Sequence, residues 1–184
     1  KTLYSSERLL MKITLPLGYS TYKRKKRKNK DAYFTVKQML SAAGINIDEQ
    51  CSAVRDKAEE IVSGVCRVGS RFTKGCICVQ LYEDAVDLMP IAMENGALFC
   101  ITRRSVEGVP CVVTDDPSRV YADMCQLYRP KNIAATAIVG SIGKTTTKKM
   151  VHSVYKSQEN TLCDEGNDNQ LDCVGYIVQH IPVE

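Results

Sequence analysis

The sequence AATAIVGSIGKTTT, residues 134–147 of a chain of 184, is the most informative segment for the fold. Its first six residues are apolar, small or β-branched, and they predict a strand. Two glycines, a lysine and three threonines follow. The next residues carry apolar side chains at the spacing of one helical face, namely Met150, Val151, Val154 and Tyr155. The order of strand, glycine loop, lysine, hydroxyl residues and helix is typical of a loop that binds phosphate groups.

The residues of this loop suit a triphosphate, which presents closely spaced negative charges. Glycines let backbone N–H groups point at the phosphates, and the following helix offers the positive end of its dipole. Lys144 would reach the β- and γ-phosphates as the catalytic residue, and the Thr145 hydroxyl would ligate Mg²⁺. The spacing is the short form G-x-x-G-K-T, because Ile138 stands where the longer motif has a further glycine. The predicted ATP-binding residues are Gly140, Ser141, Ile142, Gly143, Lys144, Thr145 and Thr146.

Strands alternate with helices on the N-terminal side of this loop. Residues 75–81, 97–102 and 111–114 have the apolar, β-branched pattern of buried strands, and the stretch before them, up to about residue 70, is less regular. The alternation predicts an α/β layer fold with some parallel strand pairing. We expect a small N-terminal α/β domain of a substrate-binding type, followed by the first strand, loop and helix of a domain like those of P-loop NTPases.

Capping signals place the helices of the N-terminal domain. Thr35 and Gln38 have the spacing of a capping box, and Gly44 stands where a glycine ends a helix. Asp116 followed by a proline predicts the start of a later helix. Pro90 lies inside a helical pattern over residues 84–95, where it either kinks the helix or marks a late start.

The domain boundaries follow from breaks in these patterns. Residues 129–132 interrupt the periodicity and are interpreted as a linker. The predicted organisation is a basic N-terminal extension over residues 1–33, a first domain over residues 34–130 and the beginning of a central ATP-binding domain over residues 131–184.

A basic run over residues 23–30 contains seven lysines and arginines, more than the net charge of +4, so the rest of the chain is mildly acidic. The run could bind nucleic acid or anionic lipid, or it could be a solvated arm ahead of the first domain. It holds no aromatic side chain to stack on bases, which argues against nucleic acid as a partner. We interpret it as an arm, and expect deletion of residues 1–33 to leave thermal stability nearly unchanged.

The nine cysteines form no C-x-x-C pair, and this argues against a zinc site of the usual spacing. Reduced, buried thiols in a cytoplasmic protein are the preferred interpretation, and Cys76 and Cys78 fall in an apolar strand pattern typical of a core. No apolar run approaches the roughly 20 residues that cross a bilayer, and no secretory signal is visible, so no membrane partner is expected.

Other polar residues have structural interpretations beside their functional ones. His152 is predicted to face solvent on its helix, and His180 has no visible partner in the sequence. Asp116 is predicted to cap a helix rather than to act in acid–base chemistry. Asp164 is predicted to be a solvated loop residue, with a metal role through water left open.

Residues 139–148, VGSIGKTTTK, resemble the phosphate loop of the Mur ligases. Ser141 and Lys148 together are most similar to the branch that adds D-alanyl-D-alanine to a UDP-muramoyl tripeptide. Residues 166–170, GNDNQ, resemble the family's glycine-asparagine segment, and Gln170 stands where the family commonly has a further asparagine. The resemblance covers about residues 34–180, closely at the loop and loosely elsewhere.

The resemblance implies an ATP-dependent ligase that forms an amide through an acyl phosphate, in the synthesis of peptidoglycan precursors in the cytoplasm. It implies ATP and Mg²⁺ as cofactors and, as partners, a UDP-sugar peptide and an amino acid or dipeptide. Substrate-binding residues carried over with it are Ser70, Arg71, Asn167 and Asn169. Ser70 and Arg71 suit a nucleotide-sugar phosphate, and equally suit a turn with a surface ion pair.

Departures from the family pattern limit these expectations. Gly69 replaces the usual aspartate before Ser-Arg, and the family's glycine- and histidine-containing segment is absent, so the UDP-sugar is left open. The family's later Mg²⁺-binding acid, modified lysine and C-terminal domain have no counterpart here, and we expect residues 1–184 alone to bind ATP weakly or not at all and to be inactive in ligation. The alternative is a nucleotide-binding or regulatory module that keeps the loop without ligase activity.

Overall fold

A computed structural model describes residues 10–15, 33–69, 74–164 and 170–181, with residues 10–15 described by their backbone. The described chain divides into two compact units. One runs from Tyr33 to Tyr128, and the other joins strand β1, Leu10–Leu15, to the residues from Arg129 onward. None of the helices in the described ranges is both long enough and apolar enough to cross a membrane.

The unit ending at Tyr128 is built from short strands and helices in near alternation. Its elements in chain order are β2 Phe34–Thr35, α1 Val36–Ala42, a 3₁₀ helix Ile47–Glu49, α2 Ser52–Arg55, β3 Ile61–Val62, β4 Val65–Arg67, β5 Ile77–Val79, a 3₁₀ helix Glu83–Leu88, α3 Met89–Glu94, β6 Phe99–Thr102, β7 Cys111–Val113 and α4 Pro117–Gln126.

A four-stranded parallel sheet in the order β4-β5-β6-β7 forms the centre of this unit. The α/β class predicted from the sequence is therefore confirmed. Strand β4 lies in the stretch that the sequence pattern described only as less regular, because Arg67 interrupts its short apolar run, whereas β5 lies within a longer one. The small β2–β3 pair is antiparallel and separate from this sheet.

The predicted caps of this unit are present. The Thr35 hydroxyl accepts a hydrogen bond from the Gln38 backbone N–H, and the Gln38 side chain accepts one from the Thr35 backbone N–H. Asp116 caps α4 by accepting from the backbone N–H of Arg119. Pro90 marks a late start: a 3₁₀ helix precedes it, and the α-helix begins at Met89 with the proline in its first turn.

Helices cover both faces of the parallel sheet. Helix α4 contacts β4 and β5, and α1 contacts α4. On the other face, buried Met89 and Ala92 of α3 pack with Cys76, Cys78 and Cys100 of the sheet. Because neighbouring residues of a strand point to opposite faces, the fully buried Ile77 and other residues of that alternate set face the α4 side.

The second unit contains β1, β8 Ala134–Ile138, α5 Lys144–Lys156, β9 Asn160–Cys163 and α6 Leu171–Gln179. Its sheet has the order β8-β1-β9, and β1 is antiparallel to both neighbours. Strands β8 and β9 therefore run in the same direction, with β1 between them. Helix α5 lies against all three strands.

The position of the N-terminal residues differs from the sequence-based interpretation. Residues 1–33 were predicted to be an extension outside the domains, whereas the structure places Leu10–Leu15 at the centre of a sheet. The basic run over residues 23–30 lies outside the described residues.

The apolar face predicted for helix α5 is only partly covered within this chain. Met150 is 66% exposed and Val154 62% exposed, and the side chains of β8 are exposed or half-buried along the whole strand. The helix itself is confirmed. Its amphipathic pattern therefore predicted the secondary structure, but not the extent of burial.

Candidate functional site: the glycine loop at the start of helix α5

The loop predicted to bind phosphate connects β8 to α5 over residues 139–143, and the backbone bends at residues 141–143. Gly143 is the N-cap of α5 and has a φ of 81°, in the left-handed region that L side chains rarely adopt. Its carbonyl accepts a hydrogen bond from the Thr147 backbone N–H at 2.9 Å, which closes the first helical turn. A glycine is thus required by the backbone at the point where the loop becomes the helix.

The N-terminus of α5 has the features of an anion site. The first N–H groups of any helix lack acceptors within the helix, and together they carry partial positive charge. The N-cap residue Gly143 provides no side-chain cap, and the first turn of α5, which begins with Lys144, contains no acidic residue. Ile142 is 93% exposed, so its side chain points away from the loop into solvent.

Lys144 folds back over the loop that precedes it. Its ammonium donates hydrogen bonds to the carbonyl of Gly140 and, at 3.3 Å, to the carbonyl of Ser141. The ammonium charge is therefore held across the bends of the loop, and the side chain is only half-buried. Thr145 is also half-buried and Thr146 is exposed, both in the first turn of α5.

An acidic residue lies at the same edge of the sheet as this loop. Strands β8 and β9 run in the same direction, so their carboxyl ends meet at one edge, and Asp164 follows β9 there as the glycine loop follows β8. Asp164 is 6% exposed, not a solvated loop residue as the sequence predicted.

The carboxylate of Asp164 is paired with Lys148, four residues after Lys144 on α5. The Lys148 ammonium lies 2.7 Å from Oδ2 of Asp164 and donates to its backbone carbonyl at 3.1 Å. Both side chains are almost completely buried. Burial of two charges is tolerated when they neutralise each other and hydrogen bond well. The sequence interpretation used Lys148 only as a family marker and did not predict its pairing with Asp164.

A second polar group lies at the carboxyl edge of the parallel sheet, in the other unit. Gln80 follows β5 and Thr102 ends β6, and the Thr102 hydroxyl donates to the Gln80 side-chain oxygen at 2.7 Å. The same oxygen accepts from the Arg103 backbone N–H at 3.2 Å. Open α/β sheets bind ligands at this edge. Gln80 was predicted only as part of an apolar strand, although a polar residue in that run was the available signal.

The other predicted residues have the following positions. Ser70, Arg71, Asn167 and Asn169, proposed to bind substrate, lie outside the described residues. His180, for which the sequence offered no partner, has its Nδ1 2.7 Å from the Tyr176 carbonyl oxygen and its ring stacked on the Tyr176 ring. It therefore has a local structural role at the end of α6.

Comparison with protein-family models, with curated proteins and with solved structures gives no match to this chain. The functional argument therefore depends on the residues and geometry of the chain itself.

Proposed function

We propose that this chain carries the ATP-binding loop of a ligase that joins a carboxylate to an amine, of the type that the Mur ligases represent. The observation that supports this most directly is the position of Lys144. Its ammonium lies against the carbonyls of a glycine loop, at the uncapped N-terminus of a helix. Backbone N–H groups, helix dipole and ammonium charge would converge on an anion bound in the loop.

In the proposed reaction, the γ-phosphoryl group of ATP passes to an oxygen of the substrate carboxylate, and ADP leaves. The amine then attacks the carbonyl carbon of this acyl phosphate, phosphate leaves and the amide forms, with one proton lost from the nitrogen. Lys144 would exchange its contacts with the loop carbonyls for contacts with the β- and γ-phosphates. Its charge would then offset the negative charge that builds up during phosphoryl transfer.

Mg²⁺ fits the proposal at Thr145, whose hydroxyl belongs to the first turn of α5 next to Lys144. The ion would neutralise phosphate charge when bound. The substrates proposed with this activity are a UDP-sugar peptide and an amino acid or dipeptide, with Ser70, Arg71, Asn167 and Asn169 as substrate-binding residues. The cytoplasm is the proposed site of action, since ATP is available there and cysteine thiols are kept reduced.

One observation favours a second candidate, a nucleotide-binding or regulatory module without ligase activity. Asp164 lies at the sheet edge next to the loop, where a carboxylate could help to hold Mg²⁺. Its pairing with Lys148 makes it a weaker ligand for a cation. A weaker ligand for Mg²⁺ favours nucleotide binding without phosphoryl transfer.

Nucleotide binding is tested by isothermal titration calorimetry, comparing the protein that contains this chain in its full reading frame with its Lys144→Ala variant. A hydrogen bond to a charged group contributes about 1.5–3 kcal/mol, so we expect ATP affinity to fall about ten- to hundredfold. Lys149→Ala is the matched control, because Lys149 is an exposed lysine on the same helix. AMP should bind equally to both variants, since it lacks the β- and γ-phosphates. Equal ATP affinity in wild type and Lys144→Ala would contradict the proposal.

The ligase and the module are separated by phosphate release from ATP, measured with the protein that contains this chain in its full reading frame. The ligase requires a carboxylate and an amine together before phosphate is released. Phosphate release from ATP alone, or binding of ATP with no release under any combination, would favour the module.

A further inference from the structure

Four cysteines form a row across the parallel sheet of the unit that ends at Tyr128. The strand register places Cys66 beside Cys78, Cys78 beside Cys100, and Cys100 beside Cys111. Side chains in register on parallel strands point to the same face. Cys76 precedes Cys78 by two residues and shares that face. The sheet therefore directs five thiols to the side covered by α3.

Three of these sulfurs lie within contact of one another. The Sγ–Sγ distances are 3.4 Å from Cys66 to Cys76, 3.5 Å from Cys66 to Cys78 and 3.7 Å from Cys76 to Cys78. Metal–sulfur bonds of about 2.3 Å in a tetrahedral site place the sulfur atoms roughly 3.8 Å apart. The triangle of sulfurs needs to expand by only a few tenths of an ångström to accept a cation above its plane.

The surroundings of the triangle favour a soft cation. The three possible ligand atoms of this cluster are all cysteine sulfurs. Buried Val68, Met89 and Ala92 pack around it, and partly buried Met93 adds a second thioether to the same core cluster. Cys76 and Cys78 are buried, whereas Cys66 is only partly buried and offers a side on which a cation could enter. Sulfur ligands in an apolar setting select thiophilic metals such as copper(I) over hard cations.

We propose that Cys66, Cys76 and Cys78 form a binding site for one thiophilic d¹⁰ cation of the copper(I) type. Three close sulfurs suit copper(I), whereas structural zinc sites are usually closed by four ligands. Binding is an exchange of protons for the cation: each thiol that becomes a thiolate ligand gives its proton to water, and no electron is transferred.

The three thiols hydrogen bond to one another. The bond to Cys76, together with burial, raises the pKa of the Cys66 thiol. The bonds to Cys100 and Cys66, together with burial, raise the pKa of Cys78 well above its ordinary value. A cation must therefore displace the protons of the Cys66 and Cys78 thiols.

The test uses the complete chain, reduced, freed of metal and handled without oxygen. Copper(I) is supplied from a coloured chelator that competes for it, and native mass spectrometry counts bound metal and displaced protons. We expect one copper(I) per chain, a mass that accounts for lost thiol protons, and a rise in thermal midpoint, because a ligand that binds the folded state stabilises it. Zinc(II), tested in parallel, is expected to bind more weakly. Tighter binding of zinc(II) would overturn the assignment to copper(I).

Three variants identify the site. Cys66→Ala is the mildest because Cys66 is only partly buried, and Cys76→Ser removes a second ligand. Each should lower copper(I) affinity by more than about tenfold, since loss even of a group that only supports the ligands costs that much. Cys125→Ser is the matched control, since Cys125 is a buried cysteine of α4 outside the triangle. Near-ultraviolet circular dichroism verifies that each variant is folded. No stoichiometric binding, or binding that survives Cys66→Ala in a folded chain, would overturn the proposal.

Discussion

At the level of single residues, Lys148 and Asp164 form a buried ion pair in the second unit. Its two side chains are 4% and 2% exposed, so each charge depends on the other for neutralisation. The pair also joins helix α5 to the end of β9, at the sheet edge where the glycine loop lies. An interaction of this kind fixes the position of the helix relative to the strand, and thereby the geometry of the candidate site.

Replacing Lys148 by methionine should destabilise the second unit by about 3–5 kcal/mol, because Asp164 would be left as an unpaired buried charge. The double variant Lys148→Met with Asp164→Leu should recover most of that loss, since neither charge remains. Hydrogen exchange followed by mass spectrometry measures the effect locally. We expect exchange in α5 and β9 to accelerate by about a hundredfold or more in the single variant, and exchange in α1 to stay unchanged as the internal reference. Similar exchange rates in the single and double variants would refute this interpretation of the pair.

At the scale of elements, the helices of the first unit are determined by local signals. The capping box of Thr35 and Gln38 satisfies two backbone N–H groups at the start of α1, and Val36, Met39 and Leu40 behind it are fully buried. The box therefore sets where the helix begins, and the apolar side chains set which face is buried.

The Thr35→Ala variant removes the hydroxyl that accepts from Gln38, and should cost about 1 kcal/mol of stability. For a unit of nearly one hundred residues, this corresponds to a fall of about 4–8 °C in thermal midpoint. Thr35→Ser should retain most of the stability because it keeps the hydroxyl. Lys37→Ala is the surface control in the same turn, where the side chain is exposed. Thermal unfolding followed by circular dichroism measures all three; equal midpoints for Thr35→Ala and Lys37→Ala would count against the cap.

The parts of the fold that the sequence predicted are those that depend on neighbouring residues. Caps, the late start at Pro90 and the strand–loop–helix order around Lys144 involve residues within a few positions of each other. Strand β4 was not predicted because Arg67 interrupts its short apolar run.

Contacts between distant residues were not predicted because they depend on strand register and packing. Cys66 meets Cys76 and Cys78 only because β4 pairs with β5 in one particular register. Lys148 and Asp164 are 16 residues apart in the sequence, and neither residue type predicts a buried ion pair.

At the scale of the whole molecule, strand β1 joins parts of the chain that are more than one hundred residues apart. Its residues pair with β8 over Leu10–Thr14 and with β9 over Lys12–Leu15. The sequence pattern of this region showed only a short apolar run, and strand pairing at such separation leaves no local signal. The sequence-based interpretation of residues 1–33 as an extension and the structure therefore give opposite predictions for the loss of this segment.

Deletion of residues 1–15 should expose the facing edges of β8 and β9, because both strands lose their hydrogen-bonding partner. Each lost hydrogen bond costs about 0.5–1.5 kcal/mol, so several together should accelerate hydrogen exchange in Ala134–Ile138 and Asn160–Cys163 by more than about a hundredfold. Deletion of residues 1–9 is the matched control, since it shortens the chain but keeps β1. Exchange in β5 and β6 should be the same in both deletions, because the parallel sheet has its own strands and core. If β8 and β9 exchange equally slowly in the two deletions, β1 does not stabilise this sheet, and residues 1–33 are an extension as the sequence first indicated.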